Sequence, residues 1–308
     1  MTTADADQRA ARIAHEPLQL VGSQSGFFSG TFPSIADIWN RRELLVLLTK
    51  RELTARYKDS SLGIVWSLFR PLAQLLIYYF AIGIILSAAR SVPDFAIFVF
   101  VGLTTWSLFS EIINATTTSI VSNAGIVKKV YLPREVFPLS AVGGALFSFA
   151  VQLLILIIAT IVVGSPPLTP SLALAPLAFL LIVVFATAVG LLLSALNVFY
   201  RDIQHIIEVV LIVLFWASPI VYSFTYVHNA VGGTWLERLY LANPVTIAVI
   251  GMQKAFWVSG STATGDLAQY FPENLLSLLL VALAASLVLL WFSQRVFSRL
   301  QKNFAQEL

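Results

Sequence analysis

The chain has 308 residues, 58% of them hydrophobic and only 11% charged, with a net charge of +3. Soluble domains average about 45–50% apolar and about 25% charged residues, so this balance excludes an ordinary soluble domain and leaves transport, signalling or intramembrane chemistry. The small net charge gives no support for nucleic-acid binding, and the absence of cysteine removes disulfides, thiolate nucleophiles and cysteine metal sites.

Residues 1–37 mix Gly, Ser and Pro with little periodicity and are expected to form a mobile cytoplasmic arm. They lack the basic start, apolar run and small-residue cleavage site of a signal peptide, so insertion is expected to begin with the first membrane helix. From residue 38 to 58 charges crowd (Arg41, Arg42, Glu43, Lys50, Arg51, Glu52, Arg56, Lys58) around the five apolar residues 44–48, too few to cross a membrane. This reads as an interfacial helix within a segment 38–66. The alternative is a solvated basic segment held near anionic lipid by charge.

Residues 67–308 read as one all-α membrane domain of six transmembrane helices with a short tail. The uncharged stretches are 71–89, 95–110, 139–163, 172–196, 209–227 and 274–294, the second continuing through Glu111. Crossing a hydrocarbon core of about 30 Å takes about 20 helical residues, whereas a barrel strand needs only about 10. The strongest signal is 136–200, which carries no charge and is interrupted only at Gly164-Ser165-Pro166-Pro167-Leu168-Thr169-Pro170, a hairpin of two spans. Residues 228–273, joining the last two spans, are too long for a turn. Their apolar stretch 241–257 fits an outer re-entrant or interfacial helix, or else a small folded outer loop. Pro219 is expected to kink the fifth span.

Orientation follows from Lys and Arg. Sixteen lie in the N-terminal segment, the second-to-third loop (Lys128, Lys129, Arg134), the fourth-to-fifth loop (Arg201) and the tail, against Arg90, Arg238 and Lys254 on the other side. This asymmetry places both termini in the cytoplasm.

Chemistry-bearing groups are few. No glycine is followed by lysine, so the phosphate-binding loop of ATPases is absent. The three histidines are scattered, and no Gly-x-Ser-x-Gly elbow is visible. Metal binding and catalysis are therefore not expected. Glu111, one turn from Asn114, is either a polar hinge partnering another element or a boundary carboxylate facing headgroups. Ser140, Gly144 and Ser148 form a small-residue stripe suited to helix packing.

The stretch from Arg42-Glu43-Leu44-Leu45 through Lys50-Arg51-Glu52-Leu53-Thr54-Ala55-Arg56-Tyr57-Lys58-Asp59-Ser60-Ser61-Leu62-Gly63-Ile64-Val65-Trp66 to Pro71 resembles the N-terminal signature of ABC-2-type permeases that export polysaccharides. These are the Wzm-type O-antigen permeases and their teichoic-acid and cell-wall galactan counterparts. Glu52 stands where Asp is common. Lys128-Lys129-Val130-Tyr131-Leu132-Pro133-Arg134-Glu135-Val136-Phe137-Pro138, Asn197-Val198-Phe199-Tyr200-Arg201-Asp202-Ile203 and Asn243-Pro244 resemble further family motifs, so the likeness spans about residues 38–300.

The resemblance implies a homodimeric permease in the bacterial cytoplasmic (inner) membrane, docked on two copies of a separate ATPase that binds ATP and Mg. This chain would hold no cofactor and would move a polyprenyl-diphosphate-linked glycan outward. It implies an interfacial gate segment containing Arg51, Arg56, Tyr57, Lys58 and Trp66. It also implies ATPase coupling through Lys128, Lys129, Arg134, Glu135, Arg201 and Asp202, residues that by themselves also fit an ordinary positive-inside loop. Sugars have apolar CH faces, so a glycan path is expected to offer aromatic rings. Tyr78, Tyr79, Trp216 and Tyr222 are candidates, interface anchoring being the other reading. An ABC-2 exporter of a small lipid or drug is the nearest rival. An ion-coupled carrier is disfavoured by few buried charges and no evident inverted repeat.

Overall fold

A computed structural model of the chain describes residue 36 and residues 39–57, 65–85, 92–129, 132–164, 166–260 and 270–308. Every regular element among the described residues is helical. From the N-terminal side these are α1 (Arg42–Tyr57), α2 (Val65–Tyr78, continued by π-helical turns Tyr79–Ile85), α3 (Phe95–Ser122) and the one-turn α4 (Ala124–Val127). Next come α5 (Val136–Val162), α6 (Leu174–Phe199, entered through the 3-10 turn Pro170–Ala173) and α7 (Ile203–Trp216). The last are α8 (Phe224–Val231), α9 (Trp235–Leu241), α10 (Pro244–Gly260), α11 (Leu275–Leu300) and the short terminal α12 (Phe304–Glu307).

Among the described residues, four helical stretches are long and apolar enough to cross a membrane: Phe95–Ser122, Val136–Val162, Pro170–Phe199 and Leu275–Glu307. They correspond to the expected second, third, fourth and sixth spans. The segments of the expected first and fifth contain shorter apolar helices, Pro71–Ile85 and Ile203–Trp216.

The hairpin forms where the Pro-rich interruption lies. The N–H groups of Val163 and Gly164 close the last turn of α5, and Gly164 adopts a positive φ of 81°, a conformation open to glycine at no steric cost. Pro166 and Pro167 cannot continue a helix.

The bundle is centred on α3, which packs against α5, α6 and α10, while α6 also carries α11. Three of its buried hydroxyls bond to their own helix: Thr105 to Val101 O (2.9 Å), Thr116 to Ile112 O (2.7 Å) and Thr117 to Ile113 O (2.7 Å). An apolar core thus receives polar side chains whose protons are already satisfied. Gly190 of α6 faces Thr116 so closely that a Cβ there would collide with the threonine side chain. Asn197, also on α6, donates to Thr117 O at 3.1 Å. Contact and hydrogen bond together hold α6 against α3.

Among its described residues, the link between α7 and α11 carries three helices, α8, α9 and α10. Helix α10 covers most of the apolar stretch 241–257 and is buried on every side between Val245 and Trp257, Lys254 excepted. An interfacial helix would bury one face only. At its far end the Trp257 indole donates to Pro93 O at 2.6 Å, anchoring the turn that opens α3.

Pro219 does more than kink the fifth segment: α7 stops at Trp216, and residues 217–223 run without helix before α8. Proline offers no N–H, and its ring clashes with the carbonyl four residues back. The exposed carbonyls are taken up one by one. Trp216 O accepts from Tyr222 OH (2.7 Å), Ala217 O from Thr246 Oγ1 (3.4 Å), Ser218 O from Ile220 N (2.8 Å) and Pro219 O from Gln253 Nε2 (2.8 Å). Two of those donors belong to α10, so this helix supplies the partners that irregular backbone requires away from water.

Candidate functional site

The basic loop is built from the end of α3 to the start of α5. Asn123 ends α3, and α4 delivers Lys128 and Lys129 to an exposed turn. Glu135 is only 4% exposed. Its carboxylate accepts from Gln301 Nε2 (3.0 Å) and Ser298 Oγ (3.3 Å), and burial pushes its carboxyl above the ordinary glutamate range. Arg295, Ser298 and Gln301 recur every three residues and so share one side of the C-terminal helix and the turn that continues it. Beside them, the Arg134 guanidinium sits 5.8 Å from the Phe304 ring centroid. Phe304 also packs edge-on against Phe199 of α6 and Phe297 of α11. Arg201 and Asp202 follow Phe199 closely and are exposed. The structure therefore gathers all six expected coupling residues at one end of the bundle. It divides them into exposed groups (Lys128, Lys129, Arg201, Asp202) and groups that grip the tail (Arg134, Glu135).

Helix α1 lies at the same end. Leu48 is buried in a cluster with Val136 and Phe137, and Thr49 Oγ1 donates to Ser140 O at 3.4 Å. Arg51 Nη2 donates to Asn123 Oδ1. Gly143 of α5 meets Thr49 so closely that a Cβ would lie 2.8 Å from its hydroxyl. The small-residue stripe packs as the sequence suggests: Ser140 and Gly144 face α1, and Ser148 faces α3. Of the other gate residues, Arg56 and Tyr57 close α1, Trp66 opens α2, and Lys58 lies outside the described residues.

The aromatic candidates separate. Tyr78 is half-buried and stacks on Phe215 of α7, with centroids 5.8 Å apart and an interplanar angle of 26°. Phe215 also meets Trp106 of α3 and its neighbour Trp216, each at 5.5 Å. Trp106 leads to Phe109, which stacks on Phe185 of α6 at 6.0 Å. Tyr222, bonded to Trp216 O, lies 3.4 Å from the Tyr240 hydroxyl. Tyr78 and Trp216 thus belong to one continuous aromatic array through Phe215, whereas Tyr222 is tied to it only by its hydrogen bond to the Trp216 carbonyl. Tyr79 is exposed and, among the described residues, has an edge-on ring contact with Phe80 and none with the array.

Glu111 lies in the middle of α3, not at a boundary, and accepts from Ser148 Oγ of α5 at 3.0 Å. It is a partner to another helix; Asn114, one turn on, is exposed. Between α8 and α9, Glu237 receives His228 Nδ1 at 2.6 Å and Gly233 N–H at 2.7 Å. The histidine hydrogen bond holds its carboxyl below the ordinary range.

Sequence reasoning overlooked Gln253, Thr246, Trp106, Ser298, Gln301 and Phe304. An isolated glutamine inside the apolar stretch 241–257 was the available signal for Gln253, because a buried amide demands a partner. The tail residues carried none, since a polar face is ordinary at the end of a final helix.

These features define a class, an integral membrane protein whose helical bundle presents a braced basic loop at one end and an aromatic array within. A family profile described as ABC-2 type transporter matches residues 43–257, and the chain belongs to that family. It is 28% identical over 274 residues to the O-antigen export system permease protein RfbA of Myxococcus xanthus, covering 89% of this chain and 98% of the relative. It is 33% identical over 184 residues to a protein of the same description from Klebsiella pneumoniae, covering 59% of this chain and 69% of the relative. The polysialic acid transport protein KpsM of Escherichia coli is 25% identical over 237 residues, 76% of this chain and 88% of the relative.

Proposed function

We propose that this chain is the permease subunit of an ABC exporter that moves a polyprenyl-diphosphate-linked polysaccharide outward across a bacterial cytoplasmic membrane. The observation that carries the reading is the match along 98% of a protein described as an O-antigen export permease. Two copies form the conduit, and two copies of a separate ATPase, using ATP and Mg, dock on the basic end. Six crossings complete the topology, with α2 and α7 as the first and fifth, α10 re-entering from the outer side, and both termini inside.

The geometry supports a division of labour. Lys128, Lys129, Arg201 and Asp202 are exposed where a soluble partner can reach them. Glu135 and Arg134 pass force from the loop into the tail and α11, and Val136 continues it into α5. A loop fastened at both ends moves as a lever, whereas a free loop would absorb the displacement. Along the path, the Tyr78–Phe215–Trp216 array offers flat apolar faces to sugar rings with no fixed charge to trap them.

Purification tests this. The isolated chain is expected to hydrolyse no ATP and to co-purify with an ATPase in a two-plus-two complex. Charge reversal at Lys128 and Lys129 should weaken that complex by about 0–1 kcal/mol if the contacts stay wet and by several if they become buried. Hydrolysis by the isolated chain, or wild-type ATPase binding and export in the double reversal, would overturn the assignment.

A further inference from the structure

Arg295, near the end of α11, is 4% exposed, and its Nε and Nη2 are buried and meet no hydrogen-bond acceptor among the described residues. These two N–H groups lie along one edge of the planar guanidinium. That edge is the one that receives both oxygens of a carboxylate in parallel. Leaving a buried charge without such a partner is strongly destabilising. A carboxylate within reach would remove that cost.

The neighbouring carboxylate is Glu135, whose charge reaches Arg295. It stands at the N-cap of α5 but makes no capping hydrogen bond there. Instead its Oε1 accepts from Ser298 and Gln301, and Ser298 in turn accepts from Gln294 Nε2 at 2.9 Å. Arg295 precedes Ser298 by three residues on the same side of α11, about 4.5 Å of helical rise toward the bundle. Two donor sets for one carboxylate therefore stand about one turn apart. The set in use is a pair of neutral groups. The other is charged and bidentate, and so stronger. Val136 and Phe137, buried in the cluster with Leu48, hold the loop in its present register. Packed elements of this kind settle in one of two discrete registers rather than between them.

We propose that Arg295 is the second seat of a two-position latch on α11. When the ATPase presses the basic loop toward the membrane, the Glu135 carboxylate leaves Ser298 and Gln301, advances about one turn and is received side-on by Arg295. The step exchanges hydrogen bonds and forms no covalent bond. It converts a continuous push into a single displacement of the head of α5 along α11. Arg295 acts through Glu135 and touches no cargo, so it is a positioning residue. The driving force rests on the export reading; the two seats belong to the chain alone.

Melting of the full chain in lipid nanodiscs tests the seats. In the wild-type background Arg295→Met removes a charge that has no partner, and should leave the melting temperature unchanged or raise it. Ser298→Ala with Gln301→Leu removes the seat in use and should send Glu135 to Arg295. In that background Arg295→Met should lower the melting temperature, by roughly 2–4 °C or more. The acceptor that Gln294 loses is common to both members of the comparison and cancels. Should the double background not fold, Ser298→Ala alone serves in its place. An effect of the same sign in both backgrounds would overturn the latch, and is what an Arg295 edge satisfied by a buried water predicts. Export by the complex with its ATPase gives the functional reading. Arg295→Met should lose most of the export rate while the ATPase still co-purifies. Arg295→Lys, which keeps the charge but not the paired edge, should recover part of it. Glu135→Gln should lose as much as Arg295→Met, and the two together no more. Wild-type export in Arg295→Met, or losses that multiply in the double variant, would also overturn the proposal. No export by the wild-type complex would sink the export reading and leave the melting comparison to decide the seats. A same-sign melting effect with export intact would sink only the latch.

Discussion

At the scale of single residues, the structure turns on polar side chains that satisfy backbone away from water. Gln253 reaches Pro219 O at 2.8 Å from the middle of a buried helix. Leucine at that position keeps the volume and removes the donor, leaving a buried carbonyl unpaired. That loss is expected to cost about 1–3 kcal/mol. Gln253→Leu should therefore lower the melting temperature of the purified chain and reduce export, whereas Gln253→Asn, too short to reach, should do the same. Unchanged melting in both would show that the break at 217–223 needs no help from α10. Glu135 is the other case. Burial raises its carboxyl above the ordinary value, so the folded chain binds this proton more tightly than the unfolded one. Its contribution is full below the unfolded pKa and is lost as pH rises through the folded pKa. The stability gap between wild type and Glu135→Gln, read from melting between about pH 4 and pH 8, should change across that window in favour of the glutamine variant as pH rises. A gap constant with pH would mean the carboxyl titrates as an exposed one.

Elements set which residues of a pair can act. Neighbours on a helix diverge by about 100°, and the change from α-helical to π-helical turns falls between Tyr78 and Tyr79. Only Tyr78 enters the array with Phe215. Tyr78→Ala should reduce glycan export at normal expression, with Tyr78→Phe retaining it, because stacking needs the ring and not the hydroxyl; an aromatic pair is worth about 0.5–1.5 kcal/mol beyond its buried area. Tyr79→Ala should leave export unchanged. The reverse pattern in export rates would place the path on the other face of α2. The hairpin of α5 and α6 was legible from the chain because uncharged length alone defines it; the long α3 was legible once Glu111 was allowed within its span. The end of α7 was not. Proline within an apolar run reads equally as a kink or a stop, and the stop holds here because Thr246 and Gln253, far along the chain, accept the consequences.

For the whole molecule, the proposed topology makes a claim about sides. The chain contains no cysteine, so single cysteines report accessibility without background. Lys129→Cys and Arg201→Cys are expected to label only from the cytoplasmic side, and Leu168→Cys and Trp235→Cys only from the outside, all four positions being exposed. Labelling of positions 201 and 235 from the same side would mean that α7 does not cross and would reduce the six crossings.

The sequence by itself determined the solvent of this protein, the helical class, the strongest spans and the family. Each rests on local quantities: uncharged length, the absence of a phosphate loop, the placement of Lys and Arg, and short motifs. Tertiary structure alone decided the roles of residues inside those motifs. Glu135 looked like a surface handle beside Arg134 and is instead buried against Ser298 and Gln301. Glu111 could be read as a helix partner or as a boundary charge, and it is a mid-helix partner of Ser148. The stretch 241–257 could be read as a re-entrant helix, an interfacial helix or a folded outer loop, and its residues from Val245 to Trp257 are part of the core. The physical reason is common to all three. A polar group's role is set by the partner that satisfies it, and those partners lie 29 to 166 residues away along the chain, a distance that no local pattern encodes.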